Sequence, residues 1–375
     1  LLLAALGKAV RNLTGQHCIA VGMEGHGREK LAKDITIDRT VGWFTSMYPV
    51  VLQTYDDIET QIVNTKEMLR AVPNRGVGYG ILRGGTLFGA DIFFNYLGVV
   101  DGTSILDGLS VADCNRLPGI ITMNGEVSGK VLRFVISYDE YAVETETIQK
   151  FARAYQSALE DVVTVCMSRK EEYKTISDYD AEGLQDRDLS LIQKRYPDVE
   201  EIIPLTPLQE GILFHCNRYP ETTAYQIQAG FTLEGELERE ILKQAIAYLV
   251  QNHSSLHSAI YESEWSGAYQ IVCKDKNVPI TYMDYRHLKD EEKEKHLAEF
   301  LEQNRLLKFE LDKGPLIRAA CIQREEKEYQ FILTFHHIAM DGWSISIFMS
   351  ELQEYYKRLL AGAGKEYVCK GQKEK

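Results

Sequence analysis

The sequence predicts an α/β or mixed α+β fold, because helical and strand periodicities alternate along the chain. Val131–Tyr138 and Tyr329–Phe335 show the alternating pattern of half-buried strands. Val143–Ser168 and Trp343–Leu360 place apolar residues three or four positions apart, which is typical of amphipathic helices. Both halves of the chain contain both patterns, so we expect sheets flanked by helices in each half.

The first half opens on Leu1, not Met, inside an apolar helical pattern, and we therefore expect a piece of a longer chain. Thr54–Val72 follows as an amphipathic helix, and Pro73 is its stop signal. The helix Val143–Ser168 carries a long apolar stripe. The stripe consists of Ile148, Phe151, Tyr155, Leu159, Val162 and Cys166.

The centre of the chain changes in composition. Arg169–Glu201 is dense in charge, and within it only Leu184–Tyr196 has a short helical pattern. Charged, weakly patterned segments are typical of the linkers between domains. The sequence therefore predicts one domain over 1–170, a linker over 171–201 and a second domain over 202–375.

The second half restarts with a helix that has a strong start signal. Thr206 is a good N-cap, Pro207 takes the first helical position, and Gln209 stands where the partner of a capping box belongs. Glu240–His253 is the next amphipathic helix. These elements precede the strand Tyr329–Phe335.

Length and composition limit the functional classes. The chain has 375 residues, enough for two domains at roughly 150 residues each. Its net charge is −13 and it has no basic stripe, which argues against nucleic-acid binding. No apolar run approaches the roughly 20 residues that a transmembrane helix needs. Seven scattered cysteines without a C-x-x-C pair favour free thiols, and hence a reducing cytoplasm.

The sharpest chemical signal is the segment FHHIAMDGWS, at a predicted strand–loop–helix junction. Imidazole titrates near neutrality, so His337 on the loop can take a proton from an attacking amine or hydroxyl. Asp341, beside Gly342, is placed to brace the loop or orient the ring. Arg318, before another predicted strand, is a plausible partner for a buried carboxylate.

Two other interpretations of the segment compete with the catalytic one. His336 and His337 alone would most often be an ordinary pair of surface histidines, but Asp341 and the Gly-Trp-Ser that follows disfavour that interpretation. Histidine and aspartate are also metal ligands. Adjacent strand residues point to opposite faces, however, so only one of the two histidines can easily serve a single site.

These residues resemble the HHxxxDG signature of condensation domains of nonribosomal peptide synthetases. LTPLQEGILFH resembles the first motif of that family, and Phe309–Arg318 resembles the stretch ahead of the signature. The resemblance implies that His337 is catalytic and that Asp341 and Arg318 form a structural ion pair. It covers only the N-terminal half of such a domain. One departure is His257, where the family usually has Arg.

The first half resembles another member of the same superfamily, the epimerization domain. Four of its motifs occur in family order: MEGHGRE from Met23, DRTVGWFTSMYP from Asp38, PNRGVGYG from Pro73 and FNYLG from Phe94. Each motif alone is weak, because Gly25 and Gly27 are also compatible with a simple turn. Together they indicate the C-terminal half of an epimerization domain.

Epimerization at a peptidyl α-carbon needs one group that removes a proton and another that returns it on the opposite face. The resemblance implies Glu24 as one acid/base, in a glycine-rich loop that lets the backbone approach a thioester. Asn95 and Tyr96 are expected to donate hydrogen bonds to the developing enolate oxygen. For Tyr96, core packing beside Phe93 and Phe94 is an equally good interpretation. The opposing acid/base is expected to precede Leu1.

The resemblance implies two lobes like those of chloramphenicol acetyltransferase, each a mixed sheet flanked by helices, with active sites in tunnels between paired lobes. It implies donor and acceptor thioesters on the phosphopantetheine arms of carrier domains, next to adenylation domains of the same synthetase. The order of the two halves implies a donor ending in a D residue. We expect no directly bound cofactor or metal, and no activity from the chain alone.

Two alternatives stay open on the sequence. The first is a complete acyltransferase that uses His337 and is built from both halves in permuted order. The second is a non-catalytic scaffold that binds carrier domains. A native product much longer than 375 residues would favour the synthetase fragment over both alternatives.

Overall fold

The structure is a computed structural model that divides into two compact units, the first ending at Ser177 and the second beginning at Asp178. It describes residues 1–30, 36–37, 39–84, 89–100, 104, 106, 117–169, 173–179, 181–274 and 277–362. Asp38 of the second epimerization motif, residues 171, 172 and 180 of the expected linker, and residues 170 and 363–375 of the two expected domains lie outside the described residues.

Unit 1 contains a five-stranded mixed sheet and helices on one of its faces. Its helices are α1 (Leu2–Thr14), α2 (Ile58–Arg70), α3 (Tyr79–Leu82) and α4 (Thr145–Ser168), with a 3₁₀ turn at Pro73–Gly76. Its strands are β1 (Cys18–Gly25), β2 (Ser46–Gln53), β3 (Ile92–Val100), β4 (Ile121–Ser128) and β5 (Val131–Tyr138), in the order β2-β1-β3-β4-β5. The β1–β3 and β3–β4 pairs are parallel, and the other two pairs are antiparallel.

The core of unit 1 lies between the sheet and helices α1, α2 and α4. Val21, Ile92 and Met123 project from the three central strands into this core. Phe151 and Tyr155 of α4 pack against them, and the Tyr155 hydroxyl donates to a backbone carbonyl in α1 at 3.3 Å. Because side chains alternate along a strand, the intervening residues of β1, β3 and β4 lie on the opposite face.

Unit 2 contains two sheets. The strands are β6 (Val199–Pro204), β7 (Gln226–Glu234), β8 (Ser258–Ser263), β9 (Gly267–Cys273), β10 (Ile280–Asp284), β11 (Ile317–Glu325) and β12 (Glu328–His336). The helices are α5 (Asp186–Arg195), α6 (Pro207–Arg218), α7 (Arg239–Asn252), α8 (Asp290–Leu306) and α9 (Gly342–Leu360). A four-stranded mixed sheet has the order β10-β11-β12-β7, and a three-stranded antiparallel sheet has the order β6-β9-β8.

The larger sheet of unit 2 is covered on both faces. On one face, Phe331, Leu333 and Phe335 of the central strand β12 are buried with α7 and α9. On the other face, α8 is held by hydrogen bonds. The Thr334 hydroxyl donates to the side-chain oxygen of Asn304 at 2.7 Å.

The mixed fold class predicted from the sequence is confirmed, and so are its long elements. The expected helix over Thr54–Val72 is α2, which begins later because Asp57 caps it through the backbone N–H of Thr60. The capping box at Thr206 and Gln209 is present at the start of α6. Cys166, expected on the buried stripe of α4, is exposed.

The expected linker differs from the structure at its C-terminal part. There α5 is an amphipathic helix whose Leu189 and Ile192 are buried. The buried carboxylate of Asp188 accepts hydrogen bonds from the hydroxyls of Ser263 and Ser266. Of the charged residues of α5, Asp188 is buried and the others lie on the exposed side of the packed helix.

Candidate active sites

The signature of unit 2 occupies the junction between β12 and α9. His336 is the last residue of β12, and its backbone N–H donates to the carbonyl of Leu316 at 2.9 Å. The backbone N–H of His337 donates to the carbonyl of Tyr225 at 2.8 Å. The loop then reaches Asp341, and α9 begins at Gly342. Two neighbouring backbone segments thus fix the positions of both histidines.

His337 is half-buried and its ring is oriented by the loop itself. Its Nδ1 lies 3.1 Å from the carbonyl oxygen of Met340. A carbonyl oxygen only accepts hydrogen bonds, so Nδ1 carries the ring proton of the neutral imidazole. The lone pair is then on Nε2, which is available as a base.

His336 is buried and makes different contacts. Its Nδ1 accepts the backbone N–H of Ile338 at 3.2 Å, and its Nε2 lies 3.6 Å from the thiol sulfur of Cys216. Burial, and to a smaller degree the neighbouring His337, lowers the pKa of His336 to about 4. Its ring lines a cavity of about 380 Å³ together with Tyr225. The two histidines therefore lie in different environments: the His337 ring is oriented by the loop, and the His336 ring is buried beside the cavity.

Asp341 caps α9. Its carboxylate accepts the backbone N–H of Ser344 at 2.9 Å and the Ser344 hydroxyl at 2.7 Å. The hydroxyl hydrogen bond and then the backbone one lower the pKa of Asp341. An N-cap carboxylate also interacts favourably with the positive end of the helix dipole.

Arg318 binds the other end of a different helix. It is buried, and its guanidinium donates to the carbonyls of Asn304 and Leu307 at the C-terminus of α8, the latter at 2.6 Å. The charge also lies 4.2 Å from the centre of the Phe309 ring. Burial lowers the pKa of Arg318 to about 10.

The expected ion pair between Asp341 and Arg318 is therefore wrong for this structure. No ion pair between these two described residues is present, and each instead satisfies the backbone groups of a nearby helix end. The free carbonyls at the end of α8 supply the negative partial charge that a carboxylate was expected to supply.

His257, at the position where Arg is usual in the resembling family, is buried. Its Nδ1 lies 2.7 Å from the carbonyl oxygen of Cys273 in β9. The preceding His253 pairs with Glu351 of α9 at 2.7 Å. This segment thus ties the end of α7 to α9 and to the small sheet.

In unit 1, Glu24 lies near the end of β1, on the face opposite to the helical core. Its side chain is exposed, yet partial desolvation raises the pKa of its carboxyl. In the parallel pairing of β1 with β3, Met23 is opposite Phe94, so Glu24 and Asn95 are the next residues on neighbouring strands. Both follow core-facing residues and share the opposite face.

Tyr96 does not join this pair. It follows Asn95 directly on β3 and is opposite Gly125 of β4, so its side chain projects to the other face of the sheet. It is 40% exposed, which also disagrees with core packing beside Phe93 and Phe94. The expectation that Asn95 and Tyr96 serve one oxygen is wrong because the two side chains alternate.

The loops that carry the first three motifs of unit 1 meet beside Glu24. Gly27 has φ +63°, and a Cβ there would lie 1.6 Å from the carbonyl oxygen of Phe44. Arg28 stacks over the Phe44 ring at 4.3 Å. Glu29 lies 3.7 Å from Arg75 of the third motif. Glycine at position 27 is thus required by both conformation and space.

Three groups of these sites are not predicted from the sequence. Asn124 of β4 accepts a hydrogen bond from Asn95, the Met340 carbonyl orients His337, and Asn304 holds Arg318. Asn124 could have been found from its register with Asn95 only after the parallel pairing of β3 and β4 was known. Within the described residues, no group of three histidine, cysteine or acidic side chains is placed to bind a metal ion.

Each of the two units contains a mixed sheet, and the second carries a histidine signature at a strand–helix junction. Residues 1–185 and 199–367 each match the family model described as the condensation domain. The chain belongs to the condensation domain family.

Similar proteins are large peptide synthetases. A linear gramicidin synthase of Brevibacillus parabrevis is 34% identical over 384 residues, which is 96% of this chain and 8% of that protein. Bacitracin synthase 3 of Bacillus licheniformis is 33% identical over 378 residues, 95% of this chain and 6% of that protein. The chain thus spans less than a tenth of these relatives.

Solved structures with partial likeness include the epimerization domain from the third module of tyrocidine synthetase B. That domain is 31% identical, with a TM-score of 0.40, covering 45% of this chain and 42% of the domain. The starter condensation domain of rhizomide synthetase is 19% identical, with a TM-score of 0.41, covering 44% and 41%. In the part of the chain that the structure describes, no helix is both long and apolar enough to cross a membrane.

Proposed function

We propose that unit 1 is the C-terminal lobe of an epimerization domain and unit 2 the N-terminal lobe of a condensation domain, within a nonribosomal peptide synthetase. Four epimerization motifs support the first assignment, and Glu29, Phe44 and Arg75 of three of them lie in neighbouring segments of unit 1. The HHxxxDG signature at the junction of β12 and α9 supports the second. The expected boundaries of 1–170 and 202–375 are extended in this proposal to the two units, which divide between Ser177 and Asp178.

The observation that carries the condensation proposal is the hydrogen bond between His337 Nδ1 and the Met340 carbonyl, at 3.1 Å. It leaves Nε2 of His337 as the base. As the amine of the acceptor aminoacyl thioester attacks the carbonyl carbon of the donor thioester, Nε2 takes a proton from the nitrogen. A C–N bond forms, the C–S bond breaks, and the proton passes to the departing sulfur.

For epimerization, Glu24 is the proposed acid/base. Its raised pKa brings the carboxyl closer to the operating pH, which suits both proton removal and proton return. Asn95 donates a hydrogen bond to the thioester oxygen as it becomes an enolate oxygen. The second acid/base comes from the opposing lobe of the same domain.

The substrates in this proposal are thioesters on the phosphopantetheine arms of carrier domains, and the other partners are adenylation domains of the same synthetase. The arms belong to the partners, and the chain itself needs no cofactor. The order of the two domains favours a donor that ends in a D residue. The similarity of this chain to large synthetases supports carrier and adenylation domains as the class of partner.

The test uses the intact synthetase that contains this chain. His337→Ala should abolish peptide bond formation while adenylation and carrier loading continue. His336→Asn is the matched control: its side-chain oxygen replaces Nδ1 as acceptor for Ile338, so condensation should persist. Loss of condensation in a folded His336→Asn variant, together with an active His337→Ala variant, would overturn the assignment.

A further inference from the structure

Asn124 shares a row of side chains with the two residues assigned to epimerization. On β4 it lies directly opposite Asn95 of β3, and Asn95 is next to Glu24 across the parallel pairing of β3 with β1. Neighbouring strands lie about 4.8 Å apart, so the three side chains are neighbours on one face. That face is opposite to the core packed against α1 and α4.

The two asparagines are hydrogen-bonded. The Nδ2 amide of Asn95 donates to Oδ1 of Asn124 at 3.3 Å, and both side chains are half-buried. A carboxamide has two N–H donors and rotates about its terminal bond. A fixed acceptor on one N–H removes that freedom and holds the second N–H in one orientation.

We propose that Asn124 is a positioning residue of the epimerization site, which orients the Asn95 amide toward the oxygen of a carrier-bound aminoacyl or peptidyl thioester. The inference rests on the proposed function of unit 1. The α-proton passes to or from Glu24 while negative charge develops on the thioester oxygen. A donor held in place before the reaction stabilises that charge without reorganising.

The alternative is that Asn124 only stabilises β4. Thr122 provides the matched comparison, since it lies two residues earlier on β4, on the same face. Its hydroxyl oxygen is buried and has no hydrogen-bond partner in the described part of the chain. Thr122→Val therefore removes a polar group from the same strand and face without touching Asn95.

The experiment measures single-turnover epimerization in the intact synthetase, loaded with the L-aminoacyl thioester, together with uptake of α-deuterium from D₂O. Asn124→Leu and the smaller Asn124→Ala should both slow deuterium uptake about threefold to tenfold, the range that one neutral hydrogen bond supports. Thr122→Val should react at the native rate. Melting temperatures of all variants identify any loss of folding.

A double-mutant cycle separates positioning from stability. In an Asn95→Ala background, Asn124→Ala should have no further effect, because Asn124 acts through the Asn95 amide. Additive losses in the cycle, or native rates for both Asn124 variants, would overturn the role of Asn124. The epimerization assignment of unit 1 would not be affected by that result. Full activity of Glu24→Gln would overturn the epimerization assignment itself, and with it this inference.

Discussion

Asp341 and Arg318 each neutralise a helix end, but Asp341 is exposed and Arg318 is buried. This difference in burial decides how much stability the loss of each side chain should cost. Asp341 is an exposed N-cap with two hydrogen bonds to Ser344. Asp341→Ala should lower the free energy of unfolding by about 1 kcal/mol, the usual cost of losing an N-cap. Asp341→Asn keeps the acceptor and should stay within a few tenths of the native value. Urea unfolding of the chain measures both.

Arg318→Ala should cost more, because it removes a buried guanidinium and the hydrogen bonds that this group donates to two carbonyls at the end of α8. Each unsatisfied buried group costs about 1–3 kcal/mol. A broken buried ion pair is expected to cost about 3–5 kcal/mol. Equal losses of unfolding free energy in that range for Asp341→Ala and Arg318→Ala would instead support the ion pair that the structure lacks.

His336 should make the stability of unit 2 depend on pH. Its pKa is about 4 in the folded chain and about 6.5 in an unfolded one. Below pH 6.5 the unfolded chain binds the proton first, so stability should fall as the pH drops from about 6.5 to 4. His336→Asn removes this titration and should flatten that part of the profile. Urea midpoints between pH 7 and pH 4.5 are the measurement, and parallel profiles would contradict the assignment.

At the scale of elements, α8 shows what apolar periodicity cannot predict. In this helix only Lys293 is fully buried, and the short apolar stripe of Leu297, Phe300 and Leu301 is half-buried, so apolar burial alone does not hold it. Polar contacts attach it instead: Lys293 pairs with Glu325 near its start, and Asn304 accepts from Thr334 and Arg318 near its end. Long helices with a stripe, such as α4, were predictable for the opposite reason.

Strands also differ in how well the sequence predicts them. In β11, seven consecutive residues from Ile317 to Gln323 are buried, so the strand has no alternation to detect. The small sheet of β6, β8 and β9 is not predicted from the sequence, and α5 falls within the expected linker because most of its charged residues lie on its exposed side. The signature at His337 was predictable from sequence, but the carbonyl of Met340 that orients it depends on the path of the loop.

Because polar contacts attach α8, Asn304 should control whether this helix stays packed against the larger sheet of unit 2. Its side-chain oxygen accepts hydrogen bonds from the side chains of Gln228, Arg318 and Thr334 at 3.2, 3.3 and 2.7 Å. Asn304→Leu removes this acceptor and leaves the three donors without it, at about 1–3 kcal/mol for each buried group. Amide hydrogen exchange in α8 should accelerate selectively, while exchange in α7 keeps its native rate. Uniform acceleration across unit 2 would show instead that α8 is integral to the fold.

At the scale of the whole molecule, the chain combines two units that carry different signatures of one family. Residues 1–185 and 199–367 match the same family model, yet the proposed acid/base of unit 1 is a carboxylate on β1 and the proposed base of unit 2 is a histidine after β12. In the proposed function each of these groups works on a substrate held against a second lobe. The activity of the chain by itself is therefore a test of that proposal.

Residues 1–375 alone should show neither epimerization nor peptide bond formation with carrier-bound aminoacyl thioesters. In the proposed function Glu24 lacks its opposing acid/base, and His337 lacks the wall that holds the donor. Orientation of reactants supplies up to about 7–11 kcal/mol of a barrier reduction, and an open half-site loses most of it. Mass spectrometry of the loaded carrier domains, with deuterium uptake as a second readout, measures both reactions. Turnover that disappears in His337→Ala would favour a complete acyltransferase built from both units in permuted order.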